Sequence, residues 1–131
     1  MTPTPPESHA DLLERPLFAH LATMRPDGSP QSNVMWFEYV DGVVKFTHTS
    51  GRQKYKNIQH EKRVALSILD PDSPDRFIEV RGEVSNIEQD TADAAFYQHL
   101  QQRYRDVYPI TDAVERVVLT VTPTGFFARA G

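Results

Sequence analysis

The stretch HTSGRQKYKNI, residues 48–58, decides the fold. It follows an apolar, β-branched run, Val43 to Thr49, that reads as a strand. Ser50-Gly51 breaks the strand, and Arg52 to His60 reads as a short helix. Arg52, Lys54 and Lys56 then stand in the first helical turns. The start of a helix presents free N–H groups and the positive end of the peptide dipole, so it attracts anions. Cations are unfavourable there for the helix itself, and a bound phosphate would remove the conflict. Lys54 and Asn57 are three residues apart and Arg52 and Lys56 four apart, so each pair shares a face. Two readings follow: a solvated basic helix, or an anion site in which Asn57 adds an amide donor.

Outward from this stretch the pattern is mostly β. Phe18 to Met24 reads as a strand, Arg25 to Pro30 as a turn, and Gln31 to Tyr39 as the returning strand. Asp41-Gly42 marks a tight turn into the Val43 strand, which predicts a three-stranded meander. Downstream, Arg63 to Leu69 alternates as a strand, Asp70 to Asp75 reads as a loop, and Phe77 to Ile87 as a long strand with a bulge or close approach at Gly82. Asp90 is expected to cap a helix running to about Arg105. Val114 to Thr122 reads as a strand, and Phe126-Phe127 as a short final one. Ser8 is the expected cap of a helix from His9 to about Glu14, ended by Pro16. The expectation is a mainly β fold with some helix, in which six or more mostly antiparallel strands and two or three helices form a closed or nearly closed barrel. One domain spans 1–131, with residues 1–7, rich in proline, as a flexible lead-in.

The net charge of −4 argues against general nucleic-acid binding. Residues 45–63 nevertheless carry six basic side chains against the single acid Glu61, a local +5 that leaves −9 on the other 112 residues. A basic island on an acidic chain suits a small anionic ligand. There is no cysteine, so disulfides, thiolate metal sites and a cysteine nucleophile are excluded. This composition fits a reducing cytoplasm, and no apolar run has the length of a membrane span or the form of a signal peptide. His20, His48 and His60 lack metal-ligand spacing with carboxylates, so no metal site is expected. Ser32, Ser50 and Ser67 show no nucleophile elbow, and the GxGxxG and P-loop signatures are absent.

Several segments occur in one order: Leu21 to Met24, Asp27 to Gln31, Trp36-Phe37, Gly51 to Ile58, Arg63 to Ser67 and Val80 to Val84. Together they resemble the flavin/deazaflavin oxidoreductase B group of the pyridoxamine-phosphate-oxidase-like split barrels, over about residues 12–125. The Arg-x-Lys-x-x-Asn element at Arg52, Lys54 and Asn57 is the most specific part. The resemblance implies an FMN-binding split β-barrel, a homodimer, and two cofactors in grooves at its interface. It implies that Arg52, Lys54 and Asn57 hold the cofactor phosphate, with Lys56 a weaker candidate. It places the ring against Asn33, Val34, Met35 and Trp36, the ribityl chain near Thr47 to Ser50, including Thr49 and Ser50, and residues Phe77 to Arg81 from the partner subunit.

Plainer roles stand beside these. Trp36 is weighed as packing, Asn33 as an interface pair, and Arg81 as a salt bridge to Glu79 or Glu83. Tyr104 and Tyr108 read as packing or rim residues. The implied activity is hydride transfer from reduced coenzyme F420 to a small unsaturated acceptor such as a conjugated carbonyl, quinone or tetrapyrrole. The alternatives are an FMN-binding oxidoreductase of the same fold and a non-catalytic F420-binding protein. The cations of residues 52–63 favour F420, whose tail carries glutamates. No catalytic acid or base is assigned from the sequence.

Overall fold

The computed structural model describes residues 3–130. Met1 and Thr2 of the expected lead-in lie outside the described residues. Seven strands are present: β1 (Ala19–Met24), β2 (Pro30–Met35), β3 (Glu38–Val40), β4 (Val43–Thr49), β5 (Arg63–Asp70), β6 (Ser73–Gln89) and β7 (Arg116–Arg129). The helices are α1 (Asp11–Glu14), α2 (Gln53–His60) and α3 (Ala95–Tyr104), with 3-10 turns at Glu7–His9 and Ala113–Glu115. All strands join one antiparallel sheet in the order β2-β1-β5-β6-β7-β4-β3. The mainly β, antiparallel split barrel expected from the sequence is the observed fold.

The expected meander is corrected. The run from Gln31 to Tyr39 is not one strand, because Trp36 and Phe37 interrupt it. β2 and β3 then lie at opposite edges of the sheet, although only those two residues separate them. So short a link reaches only about 10 Å. The sheet must therefore curl until its edges come close, which makes a barrel split along one seam.

Side chains of α3 close that seam. Tyr104 accepts the Phe37 N–H at 2.9 Å and donates to the Leu17 carbonyl at 2.6 Å. Arg103 donates to the carbonyls of Phe37, Glu14 and Arg15, each at 3.0 Å. The link would otherwise leave backbone polar groups unpaired, which is costly inside a protein. Phe37 itself is fully buried.

Strand alternation fills the barrel. β1 buries Ala19, Leu21 and Thr23, β5 buries Val64, Leu66 and Ile68, and β4 buries Val44, Phe46 and His48. Leu12 and Leu13 of α1 and Ile58 of α2 belong to the same apolar cluster. Among the described residues no helix is long and apolar enough to cross a membrane.

Other differences have local causes. The loop expected at residues 70–75 shrinks, because Asp70 still pairs with Ser73. Ser8 does not cap the N-terminal helix: its Oγ meets His9 Nδ1 at 2.8 Å, and Ala10 divides a 3-10 turn from α1. Asp90 does serve α3, from five residues upstream, by accepting the Phe96 and Tyr97 N–H groups at 3.2 Å. Phe126-Phe127 is part of β7 rather than a separate strand.

Gly82 sits at a register shift between β6 and β7, as the sequence predicts. A Cβ there would lie 2.5 Å from the Thr122 carbonyl oxygen and 3.1 Å from Pro123 Cα. Backbone cannot give way cheaply, so Gly82→Ala is expected to destabilise the fold by about 1–3 kcal/mol. Gly125→Ala, where a Cβ meets nothing within 4 Å, is expected to be near neutral. Urea melts of both variants check the contrast; equal stabilities would show that the β6–β7 approach is not tight.

Candidate functional site

The end of β4, the start of α2, the end of β2 and the segment after α3 surround a cleft of about 380 Å³. It brings together Asn33, Val34, Met35 and Trp36 on one side and Thr49, Arg52 and Lys54 on the other. Among the described residues no carboxylate lines it. Thr47, His48, Tyr97, Tyr108 and Arg116 complete it.

The positions of the cations follow from the fold. Arg52 is the N-terminal cap residue of α2, with an extended backbone and no side-chain capping bond. No acidic residue occupies the first turn. Lys54 is turned inward and only 5% exposed, with its Nζ against Met35 Sδ at 2.6 Å. A buried ammonium ion without a carboxylate is costly. Burial, then the charge of Arg52, pull the Lys54 pKa down from 10.5 to about 8. His48, on the cleft floor, is held neutral: burial and then Lys54, Arg52 and Arg116 push its pKa down to about 3.

Arg116 enters through sheet pairing, being the register partner of Thr49. Its guanidinium binds both carboxylate oxygens of Asp112 at 3.0 Å and stacks 3.7 Å over the Tyr97 ring. The Tyr97 hydroxyl in turn meets that of Tyr108, a contact that helps push the Tyr108 pKa up to about 12. Trp36 stacks on Tyr104 at 4.9 Å and 9°, so it packs and also forms cleft wall.

Three residues expected at the site, Asn57, Lys56 and Ser50, do not line the cleft. Asn57 is fully buried, and its amide is occupied: Nδ2 donates to Thr23 Oγ1 and Gln31 Oε1 at 3.1 Å, while Oδ1 accepts from Gln53. It docks α2 on β1 and β2 and does not line the cleft. Lys56 is exposed and outside the cleft. Ser50 is exposed and its N–H bonds Glu115, so it too stands apart. Asn33 lines the cleft while its Oδ1 accepts from Gln31 at 2.8 Å.

Arg81 makes an ion pair with Glu79 at 2.7 Å, in a second and more apolar hollow of about 500 Å³ between β1, β5 and β6. The other arginine of that hollow, Arg63, is paired with Glu61 at 2.6 Å. The larger hollow is thus charge-matched, whereas in the smaller cleft Arg116 is paired with Asp112 and no carboxylate among the described residues pairs with Arg52 or Lys54. Among the described residues no His, Asp and Glu side chains group to hold a metal ion.

A mainly polar cleft with Arg52, Lys54, a neutral imidazole and one apolar side at Val34 to Trp36 can take a ligand that joins a phosphate to a flat ring. A model of the pyridoxamine 5'-phosphate oxidase family matches residues 5–129. A solved structure described as an F420 reductase is 50% identical, covering 93% of this chain and 98% of its own, with a TM-score of 0.90. A conserved hypothetical protein from Mycobacterium tuberculosis (22% identity, 94% and 83% coverage, TM-score 0.76) shares the fold. So does General Stress Protein 26 from Bacillus anthracis (21%, 93% and 91%, 0.72). No curated protein matches significantly.

The buried Lys54 gives a pH signature. Its folded pKa of about 8 lies below the ordinary 10.5, so between these values the unfolded chain holds more protons. Stability of the ligand-free protein is therefore expected to gain from this group as pH rises from 8 to 10.5. Denaturant melts of wild type and Lys54→Met across that window test it. The variant should lack this gain; parallel curves would show an unperturbed, solvated lysine.

Proposed function

The chain belongs to the pyridoxamine 5'-phosphate oxidase family, and from that premise we propose an F420-dependent oxidoreductase that passes hydride from the reduced deazaflavin to an unsaturated small-molecule acceptor. The observation that carries the reading is the pair Arg52 and Lys54, uncompensated by any carboxylate of a cleft walled by Met35 and Trp36. Burying Lys54 costs stability that an anionic ligand would return. The 50% identical structure described as an F420 reductase supports F420 over FMN.

In this reading Arg52 and Lys54 hold the phosphate by charge-assisted hydrogen bonds. Val34, Met35 and Trp36 flank the ring, and Thr47 and Thr49 offer hydroxyls to the chain between ring and phosphate. Asn57 contributes by holding α2, and so Lys54, against the barrel. The bound cofactor supplies the hydride. The protein's own share is placement, since errors of position are costly in transfer reactions. The acceptor gains hydride at one end of its double bond and a proton, delivered by water, at the other.

We propose further that the chain works as a homodimer in the cytoplasm, with Arg81 reaching a cofactor held mainly by the partner. Val34 beside the cleft is 60% exposed, and Met24 and Phe127 are exposed as well, which gives an apolar surface to cover.

Calorimetric titration with F420 and with FMN tests the cofactor. F420 is expected to bind tighter. Lys54→Ala should weaken it about 10- to 100-fold, the loss of one charge-assisted contact, and Lys56→Ala by less than about twofold. Tighter FMN binding would turn the assignment to FMN, and tight F420 binding with no turnover on any quinone or enone would leave a carrier. Equal losses in the two lysine variants would remove the cleft from the account.

Light scattering at micromolar concentration is expected to give twice the 14.9 kDa chain mass. A monomer that still binds cofactor would contradict the shared site.

A further inference from the structure

Lys54 is placed as few lysines are. Its side chain is 5% exposed yet lines the cleft, and its Nζ donates to a thioether, Met35 Sδ, at 2.6 Å. A thioether is a weak acceptor and carries no charge. Lys54 is also the second residue of α2, at the positive end of the helix dipole, with Arg52 two residues before it. Burial, a weak partner and neighbouring positive charge all disfavour the ammonium form. With the pKa at about 8, roughly a quarter of Lys54 is free amine at about pH 7.5, against about one in a thousand for an ordinary lysine. The other titratable or charged groups on the cleft are His48, Tyr97, Tyr108, Arg52 and Arg116, none of them a carboxylate that would restore the charge.

A free amine is a nucleophile. What it attacks depends on what the cleft draws in. Arg52 is exposed and lines the same cleft, so anions are attracted to the place where the amine stands. Acyl phosphates join the two requirements in one small molecule. Their phosphate is the anion, and it is also the leaving group that activates the neighbouring carbonyl carbon.

We propose that Lys54 is an acylation site, modified by small acyl phosphates whose phosphate is held by Arg52. The amine nitrogen attacks the carbonyl carbon and forms a C–N bond. The bond from that carbon to the phosphate oxygen breaks, inorganic phosphate leaves with the electron pair, and the displaced N–H proton passes to it or to water. Nothing is oxidised or reduced. The product amide is neutral, so acylation removes one of the two cations of the phosphate clamp and closes the cleft to its ligand. A bound anion acts in the opposite sense, because it holds Lys54 as the ammonium ion. The proposal rests on the reading of the cleft as an anion site and is independent of which cofactor fills it.

The experiment incubates the ligand-free protein with acetyl phosphate and follows each lysine by peptide mass spectrometry. Lys54 is expected to react about 10-fold faster than the exposed Lys56 and Lys62, at a rate that levels off above about pH 8. Pyrophosphate at about ten times its dissociation constant is expected to slow Lys54 about 10-fold by occupancy and to leave Lys56 unchanged. Arg52→Gln separates anchoring from reactivity. With p-nitrophenyl acetate, which has no phosphate, the variant alters Lys54 only through its pKa; with acetyl phosphate it is expected to cost about a further 10-fold. The acetylated protein is expected to bind pyrophosphate about 10- to 100-fold more weakly by calorimetry.

Lys54 labelled no faster than Lys56 overturns the proposal; if F420 and pyrophosphate still bind the wild type in that case, the anion site and the cofactor assignment stand without it. Selective labelling that pyrophosphate does not slow refutes the anchoring by Arg52, and the proposal with it. Selective, protectable labelling in a protein that does not bind F420 upholds the proposal and ends the cofactor assignment. Should Arg52→Gln fail to fold, the two reagents compared on the wild type with and without pyrophosphate decide the same point.

Discussion

The structure depends on the clasp that α3 places over the Trp36-Phe37 link. Two residues join the opposite edges of a seven-stranded sheet, so their backbone crosses the seam where no ladder can pair it. Tyr104 and Arg103 take over that pairing and tie the link to Leu17, Glu14 and Arg15. Hydrogen bonds that satisfy buried backbone are expensive to lose, more than their modest net worth suggests. The clasp also sets the site. The same Tyr104 stacks on Trp36, so the contact that closes the barrel holds one wall of the cleft at the end of β2.

The opposite wall is built at the expense of stability. Arg52 stands where a helix favours an acid, Lys54 is buried without a carboxylate, and His48 is forced to stay neutral among cations. Several arginines elsewhere are matched: Arg76 pairs with Asp11 and Asp70, Arg63 with Glu61, and Arg81 with Glu79. Against that background Lys54 is a local departure from the rule that buried charges are paired, and such departures point to functional sites. Asn57 shows how the cost is contained. Two of its three amide hydrogen bonds lock α2 to β1 and β2, and the third, from Gln53, stays within α2, so Lys54 stays inward.

Much of this was legible in the sequence, and the exceptions have a common cause. Alternation located the strands, Asp41-Gly42 the β3–β4 turn, and Gly82 the close β6–β7 approach. Spacing paired Lys54 with Asn57 and Arg52 with Lys56, and the family resemblance grouped Arg52, Lys54 and Asn57, but helical periodicity reports a shared face and not what that face meets. Asn57 meets Thr23 and Gln31, which are far away in sequence, and Lys56 meets solvent. The break at Trp36-Phe37 was hidden because both residues favour strands; only the sheet order, a long-range property, requires them to leave the ladder. Arg116 and Tyr97 carried no local signal either. Arg116 opens a β-branched strand, and reaches the cleft because β7 pairs with β4 at Thr49.

The most direct measurement is a crystal structure of the protein grown with F420. The cofactor phosphate is expected within hydrogen-bond distance of Arg52 and Lys54, and the ring against the Val34 to Trp36 wall. A phosphate bound instead on the outer face of α2 at Lys56, or a cofactor that leaves the Lys54 cleft empty, would contradict it.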